Sequence, residues 1–158
     1  MKLSTKARYA VRAMVDLAIH CDQEPVSRKE IANRQHISPH YMEQLFARLR
    51  DAELIEAIRG PGGGYLLRRG ADQITVGEVV RAVEEVLTPA PCLGAHARQE
   101  CPRVEVCATR RLWIELEKRE TEFLDSKTLQ DLCNEELQLA GAELPAPSCS
   151  LVEPQLIN

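Results

Sequence analysis

Residues 59–64 read RGPGGG, and no regular element can run through them. Proline lacks an amide proton and glycine resists the ordered backbone of a helix or strand, so the segment must turn. Leu54-Ile55 and Ala57-Ile58 lead into it and Tyr65-Leu66-Leu67 leads out, two short apolar runs. The pattern predicts a β-hairpin with a glycine-rich tip. Two helices are predicted just before it. Ser27 with Glu30 three residues later forms a capping box that starts a short helix, running to about Gln35. Ser38 followed by Pro39 is an N-cap with proline at the first helical position. The helix it opens buries Met42, Leu45, Phe46 and Leu49. Two short helices so closely spaced are a helix-turn-helix, and one followed at once by a hairpin is a winged helix.

The rest of the chain extends this plan. Residues 5–20 form an amphipathic helix with Tyr9, Ala10, Ala13, Met14, Leu17 and Ala18 on one stripe. Thr75 and Glu78 cap a further helix over 75–87 with a Val76, Val79, Val80, Val83 stripe, ended by Pro89 and Pro91. From about Glu105 helical periodicity returns and runs to about Asp125, with Leu112, Trp113, Leu116, Glu120, Phe123 and Leu124 on one face. A long helix with so broad an apolar face needs a cover, and a second copy of the chain is the simplest one. Residues 128–139 form a last short helix, and 141–158, rich in proline and alanine, read as a disordered tail. The fold class is thus mainly α. A winged helix-turn-helix occupies 1–87, a cysteine loop 88–106, and the dimerisation helix with the short helix 107–140.

Net charge is −4, which by itself argues against nucleic acid. Its distribution reverses that. Residues 1–70 carry 12 Lys/Arg against 8 Asp/Glu, and residues 71–158 carry 8 against 16. The basic part coincides with the winged helix, as a phosphate-facing surface requires. No window approaches the roughly 20 apolar residues of a membrane span. The N-terminus lacks the continuous apolar run of a signal peptide, being broken by Arg8, Arg12 and Asp16. A cytoplasmic protein is expected, where clustered cysteines are kept reduced. No nucleotide-binding loop, paired carboxylates or nucleophile motif is found, so neither an enzyme nor a small-molecule substrate is expected.

Double-stranded DNA is the expected partner. The N-terminal residues of the second helix of a helix-turn-helix lie near base edges. Here these are His40, Tyr41, Glu43 and Gln44, with Ser38 at the cap, and Tyr41 reads equally as a partly buried edge of the core. Gln bonds adenine and Glu accepts from the cytosine amine. Arg59 with Gly62 and Gly63 suits the minor groove, where a guanidinium and a slim backbone fit.

The second chemical feature is Cys92-x8-Cys101-x5-Cys107. Structural zinc favours paired C-x2-C knuckles, absent here. Wide spacing over a loop suits an iron–sulfur cluster of two or four irons, held by three thiolates with one corner open. A thiol switch and zinc are the lesser readings. Cys21, Cys133 and Cys149 lie apart and read as non-ligands, while His96 is the one imidazole in the loop and a possible fourth ligand.

The segments KLSTKARYAVRAMVDLA, ISPHYMEQLFARLRDAELIEAIRGPGGGYLL and ITVGEVVRAVEE, with the three cysteines before LW, resemble the IscR family of bacterial iron–sulfur transcription regulators, to which NsrR and RirA are related. The resemblance covers residues 1 to about 130. It implies a dimeric winged-helix regulator whose long helix crosses its mate. The cluster would lie between the DNA head of one subunit and the dimer helix of the other. DNA reading would fall to Tyr41, Glu43, Gln44 and Arg59, and ligation to Cys92, Cys101 and Cys107. Two departures stand out. IscR takes a fourth ligand from a histidine three residues after the last cysteine, where this chain has Arg110. NsrR takes an N-terminal aspartate from the partner, at the position of Arg8 here. The alternative expectation is a cluster-free winged-helix regulator that senses by thiol oxidation or through a protein partner.

Overall fold

Side-chain caps fix where the helices begin. The hydroxyl of Ser4 accepts the Ala7 amide, that of Ser38 accepts the Tyr41 amide, and complete capping boxes stand at Ser27/Glu30, Thr75/Glu78 and Thr128/Asp131. Each satisfies amides that the first helical turn leaves without a partner. The computed structural model describes residues 3–21, 24–84, 90–94 and 101–141. Among these run α1 (Thr5–His20), α2 (Arg28–Gln35), α3 (Pro39–Asp51), β1 (Ile55–Ile58), β2 (Gly64–Leu67), α4 (Val76–Val83), α5 (Ala108–Asp125) and α6 (Leu129–Leu139). The expected tail, 141–158, lies outside the described residues apart from Gly141.

β1 and β2 pair antiparallel, with Ile55 opposite Leu67 and Ile58 opposite Gly64. Val26 adds a bridge to Tyr65 on the outer edge of β2. The ring of Phe46 meets that of Tyr65 edge-on, with centroids 4.7 Å apart, and so seats the hairpin on α3. Phe46, Met14, Leu17, Met42, Leu45 and Leu49 are fully buried together.

One buried charge organises the helix-turn-helix. Asp16 of α1 is 2% exposed. Its carboxylate accepts from Arg34 Nε at 3.1 Å and Nη2 at 2.6 Å, and from Gln35 Nε2 at 2.9 Å. Arg12, one turn earlier on α1, donates to the side chain and carbonyl of Gln35 at 3.1 and 2.8 Å. The end of α2 is thereby bolted to the middle of α1, which sets the angle at which α3 leaves the turn.

Three elements differ from their sequence expectation. The helix expected to reach Leu87 stops at Val83, with Glu84 extended at φ −110°, ψ 131°. Two partners from elsewhere capture its end: Arg48 of α3 donates to the Val83 carbonyl at 3.3 Å, and the Ser4 amide donates to Glu84 Oε1 at 3.2 Å. Residues 85–87 of that expectation lie outside the described residues. The long helix starts at Ala108 rather than near Glu105, because 101–106 fold into successive tight turns, with Val104 N bonded to Cys101 O and Val106 N to Arg103 O.

The third difference concerns α6, grouped above with the long helix. It turns back and packs on α1, burying Leu129 and Cys133 in the head's core. Backbone bonds from Val76 N to Lys127 O (2.8 Å) and from Leu129 N to Ile74 O (2.9 Å), with an Arg81–Asp125 ion pair at 2.7 Å, clamp the end of α5 to the start of α4.

The apolar face of α5 is split. Trp113, Glu120 and Leu124 are half-buried on one side, and Leu124 packs on the head's core. Leu112, Leu116 and Phe123, within about 40° of one another around the helix, stay exposed, Leu112 at 59% and Phe123 at 62%. No helix among the described residues is long and apolar enough to cross a membrane.

Candidate functional site

The first candidate surface is where α2, α3 and the hairpin tip begin. Ser38 is spent as the cap of α3, its hydroxyl accepting the Tyr41 amide at 3.3 Å. His40, Glu43 and Gln44 are exposed on the first turns of α3, with Gln44 Nε2 3.2 Å from His40 Nε2. Tyr41 sits at the inner edge of this set. Its half-buried ring meets Tyr9 of α1 edge-on, centroids 5.9 Å apart, and Arg12 lies 5.6 Å over the Tyr9 ring. Packing therefore claims much of the tyrosine that the sequence assigns to DNA.

At the tip, Gly62 has φ +78°, which side-chain-bearing residues rarely adopt. Gly63 has no room for a Cβ, which would meet the carbonyl oxygens of Ile58 and Gly60. Arg59 is exposed beside them. The other two wing arginines serve the fold: Arg68 pairs with Glu53 at 3.4 Å, and Arg69 pairs with Glu78 at 2.8 Å. A groove separates the hairpin from the helix starts, and Arg28, Lys29, Pro39, Arg59 and Gly63 are among its walls. Arg28 and Lys29 are not among the DNA-facing residues expected from the sequence. The signal was present, since two basic residues directly after the Ser27 cap must lie in the exposed first turn of α2.

The second candidate site is the cysteine loop. Cys92 lies in a 3-10 turn, Pro91–Leu93, and Cys107 is the N-cap of α5. Cys92, Cys101 and Cys107 are all half-buried free thiols. Arg110 donates through Nε to the Cys92 carbonyl at 3.2 Å. It thus holds the Cys92 turn against the first turn of α5. Cys107 Sγ lies 3.1 Å from the Thr109 hydroxyl. That hydrogen bond, the Arg110 backbone amide and, more weakly, the Arg103 charge hold the Cys107 thiol below the ordinary thiol range.

Cys133 behaves oppositely: burial pushes its thiol up to about 11, as expected of a core cysteine. His96 lies outside the described residues. Among the described residues no three His, Cys, Asp or Glu side chains already converge as a metal site. The donor chemistry of the loop nonetheless fits a thiophilic group: three accessible sulfurs, one of them held below the ordinary thiol range.

A family model described as "Rrf2: Iron-dependent Transcriptional regulator" matches residues 3–135. The chain belongs to the Rrf2 family. Among Rrf2 proteins it is similar to the "HTH-type transcriptional regulator IscR" of Sodalis glossinidius, 48% identical over 136 residues covering 86% of this chain and 81% of that one. It is also similar to the protein of the same description in Pectobacterium atrosepticum, 46% identical over 134 residues, 85% and 80% of the two chains. Two solved structures share the fold. "T. potens IscR" has a TM-score of 0.73 at 36% identity over 91% of this chain and 94% of that one. CymR, described as the global cysteine regulator of B. subtilis, has a TM-score of 0.71 at 39% identity over 85% and 98%. This Rrf2 protein is therefore a DNA-binding winged-helix transcription regulator of the IscR type, and its relatives are regulators rather than enzymes.

Proposed function

We propose that this regulator is a homodimer that senses iron–sulfur, iron or redox status through a cluster held by Cys92, Cys101 and Cys107. The observation that carries the reading is the Arg110 bond to the Cys92 carbonyl. It brings the Cys92 turn to the helix start capped by Cys107, with Cys101 six residues before it. When bound, a cluster supplies a redox- and iron-responsive centre that is lost or altered as conditions change.

The chain's own residues carry the consequence to DNA. The loop follows α4, whose end is tied to α3 by Arg48 and to the N-terminus by Ser4. The far end of α5 is clamped to the start of α4. A change in the loop's shape therefore reaches the helix carrying His40, Glu43 and Gln44 from two sides. In the dimer, the exposed Leu112, Leu116 and Phe123 stripe faces its counterpart. His96 is a candidate for the fourth corner, since Arg110 and Arg8 cannot ligate.

The test is iron and acid-labile sulfide counting, with visible absorbance, on anaerobically purified protein. The native chain is expected to carry both, and the Cys92, Cys101, Cys107→Ala variant neither. Equal absorbance in the two would overturn the cluster. The lowered Cys107 thiol also favours a second reading, a thiol-oxidation sensor without iron. A native chain with no iron but reversible, oxidant-dependent DNA binding would establish that instead.

A further inference from the structure

We infer that Arg28 is a positioning residue for base reading, acting through Glu43, whose carboxylate it orients and whose charge it offsets as α3 enters the major groove. The inference rests on α3 being the recognition helix. Arg28 opens α2 and Glu43 lies one turn into α3. Their ion pair, Nη1 to Oε1 at 3.5 Å, joins the two helices of the motif at the face where both begin.

Glu43 is the single acidic residue between Ser38 and Arg50, and its side chain is 60% exposed. A bare carboxylate there meets a duplex carrying one negative charge per about 1.7 Å of axis, which repels it. A guanidinium at 3.5 Å offsets that repulsion and leaves the second oxygen, Oε2, to accept from a cytosine amine. Arg28 also lines the groove shared with Lys29 and Arg59, so the cation paired with the carboxylate belongs to a basic wall. Exposed ion pairs of this kind contribute little to stability. The consequence of the pair falls on DNA binding instead.

The probe is a duplex recovered from a randomised pool by the unsubstituted protein; loss of its binding on Gln44→Ala tests the recognition-helix reading separately. Affinity for that duplex is measured for Arg28→Ala in the native and Glu43→Gln backgrounds, together with base preference at each position. The expected loss is about tenfold in the native background and under about threefold in the Glu43→Gln background, where a neutral amide replaces the carboxylate, at the low end of what one base contact is worth. Preference for cytosine at one position should weaken in Arg28→Ala and return in Arg28→Lys, with the thermal midpoint unchanged. Equal losses in both backgrounds with cytosine preference intact would overturn the inference, because Arg28 would then act on phosphate alone.

Discussion

Arg34→Ala is expected to lower the thermal midpoint of the protein by roughly 10 °C, from a loss of about 3 kcal/mol. Asp16 is 2% exposed, and Arg34 supplies three of its hydrogen bonds, at 2.6 to 3.1 Å. Removing the arginine leaves a buried carboxylate with the Gln35 amide as its remaining strong donor. Breaking a fully buried pair costs about 3–5 kcal/mol. The low end applies because the Arg34 side chain is 34% exposed, so water can enter where it stood. Asp16→Asn, which keeps shape and hydrogen-bonding capacity but removes the charge, is expected to cost less. DNA affinity should fall in Arg34→Ala even well below the melting range, because α2 loses its bolt to α1 and α3 its fixed exit angle. A shift of under about 2 °C would show that the pair does not hold the motif together.

The second large effect concerns assembly. Leu112→Glu with Phe123→Glu is expected to convert the proposed dimer into a monomer in sedimentation equilibrium. Both side chains are more than half exposed on the same stripe of α5, at 59% and 62%. Within the subunit they therefore contribute little to the core, and the variant should keep its thermal midpoint at high dilution. Across a dimer they would be buried, and a carboxylate there must be desolvated without a partner. Weakening of dimerisation by more than about a hundredfold, roughly 3 kcal/mol, follows. Trp113 and Leu124 are the internal control: they lie on the half-buried side, so charges there should destabilise the subunit itself. An unchanged dimer in the double variant would place the interface elsewhere.

Caps and turns are local chemistry, so Ser27/Glu30, Ser38-Pro39 and Thr75/Glu78 marked where their helices begin, and the RGPGGG tip marked the hairpin. What escaped depends on partners distant in the chain. Periodicity gave α5 one broad apolar face, and only the return of α6 onto α1 decides which edge of it meets the head. Tyr41 reads equally as groove-facing or as an edge of the core, and Tyr9, 32 positions earlier, decides for the core edge by meeting its ring. The early stop of α4 follows from Arg48 and Ser4, neither of which belongs to that helix. The donor type and spacing of the cysteine loop were legible in the sequence, while the Arg110 bond to the Cys92 carbonyl required the fold.

Cluster-dependent DNA recognition is the central claim, and it demands that two states of one protein bind the same duplex with different affinity. The direct measurement is DNA affinity across a salt series for one anaerobic preparation, before and after chelation has stripped its iron. Both states should lose affinity as salt rises, since phosphate contacts release counterions. At each salt concentration the two isotherms should be displaced from one another, by at least about fivefold for a coupling of 1 kcal/mol, and Cys92→Ala should follow the stripped curve in both arms. Superimposable isotherms for loaded and stripped protein across the whole series would contradict the account.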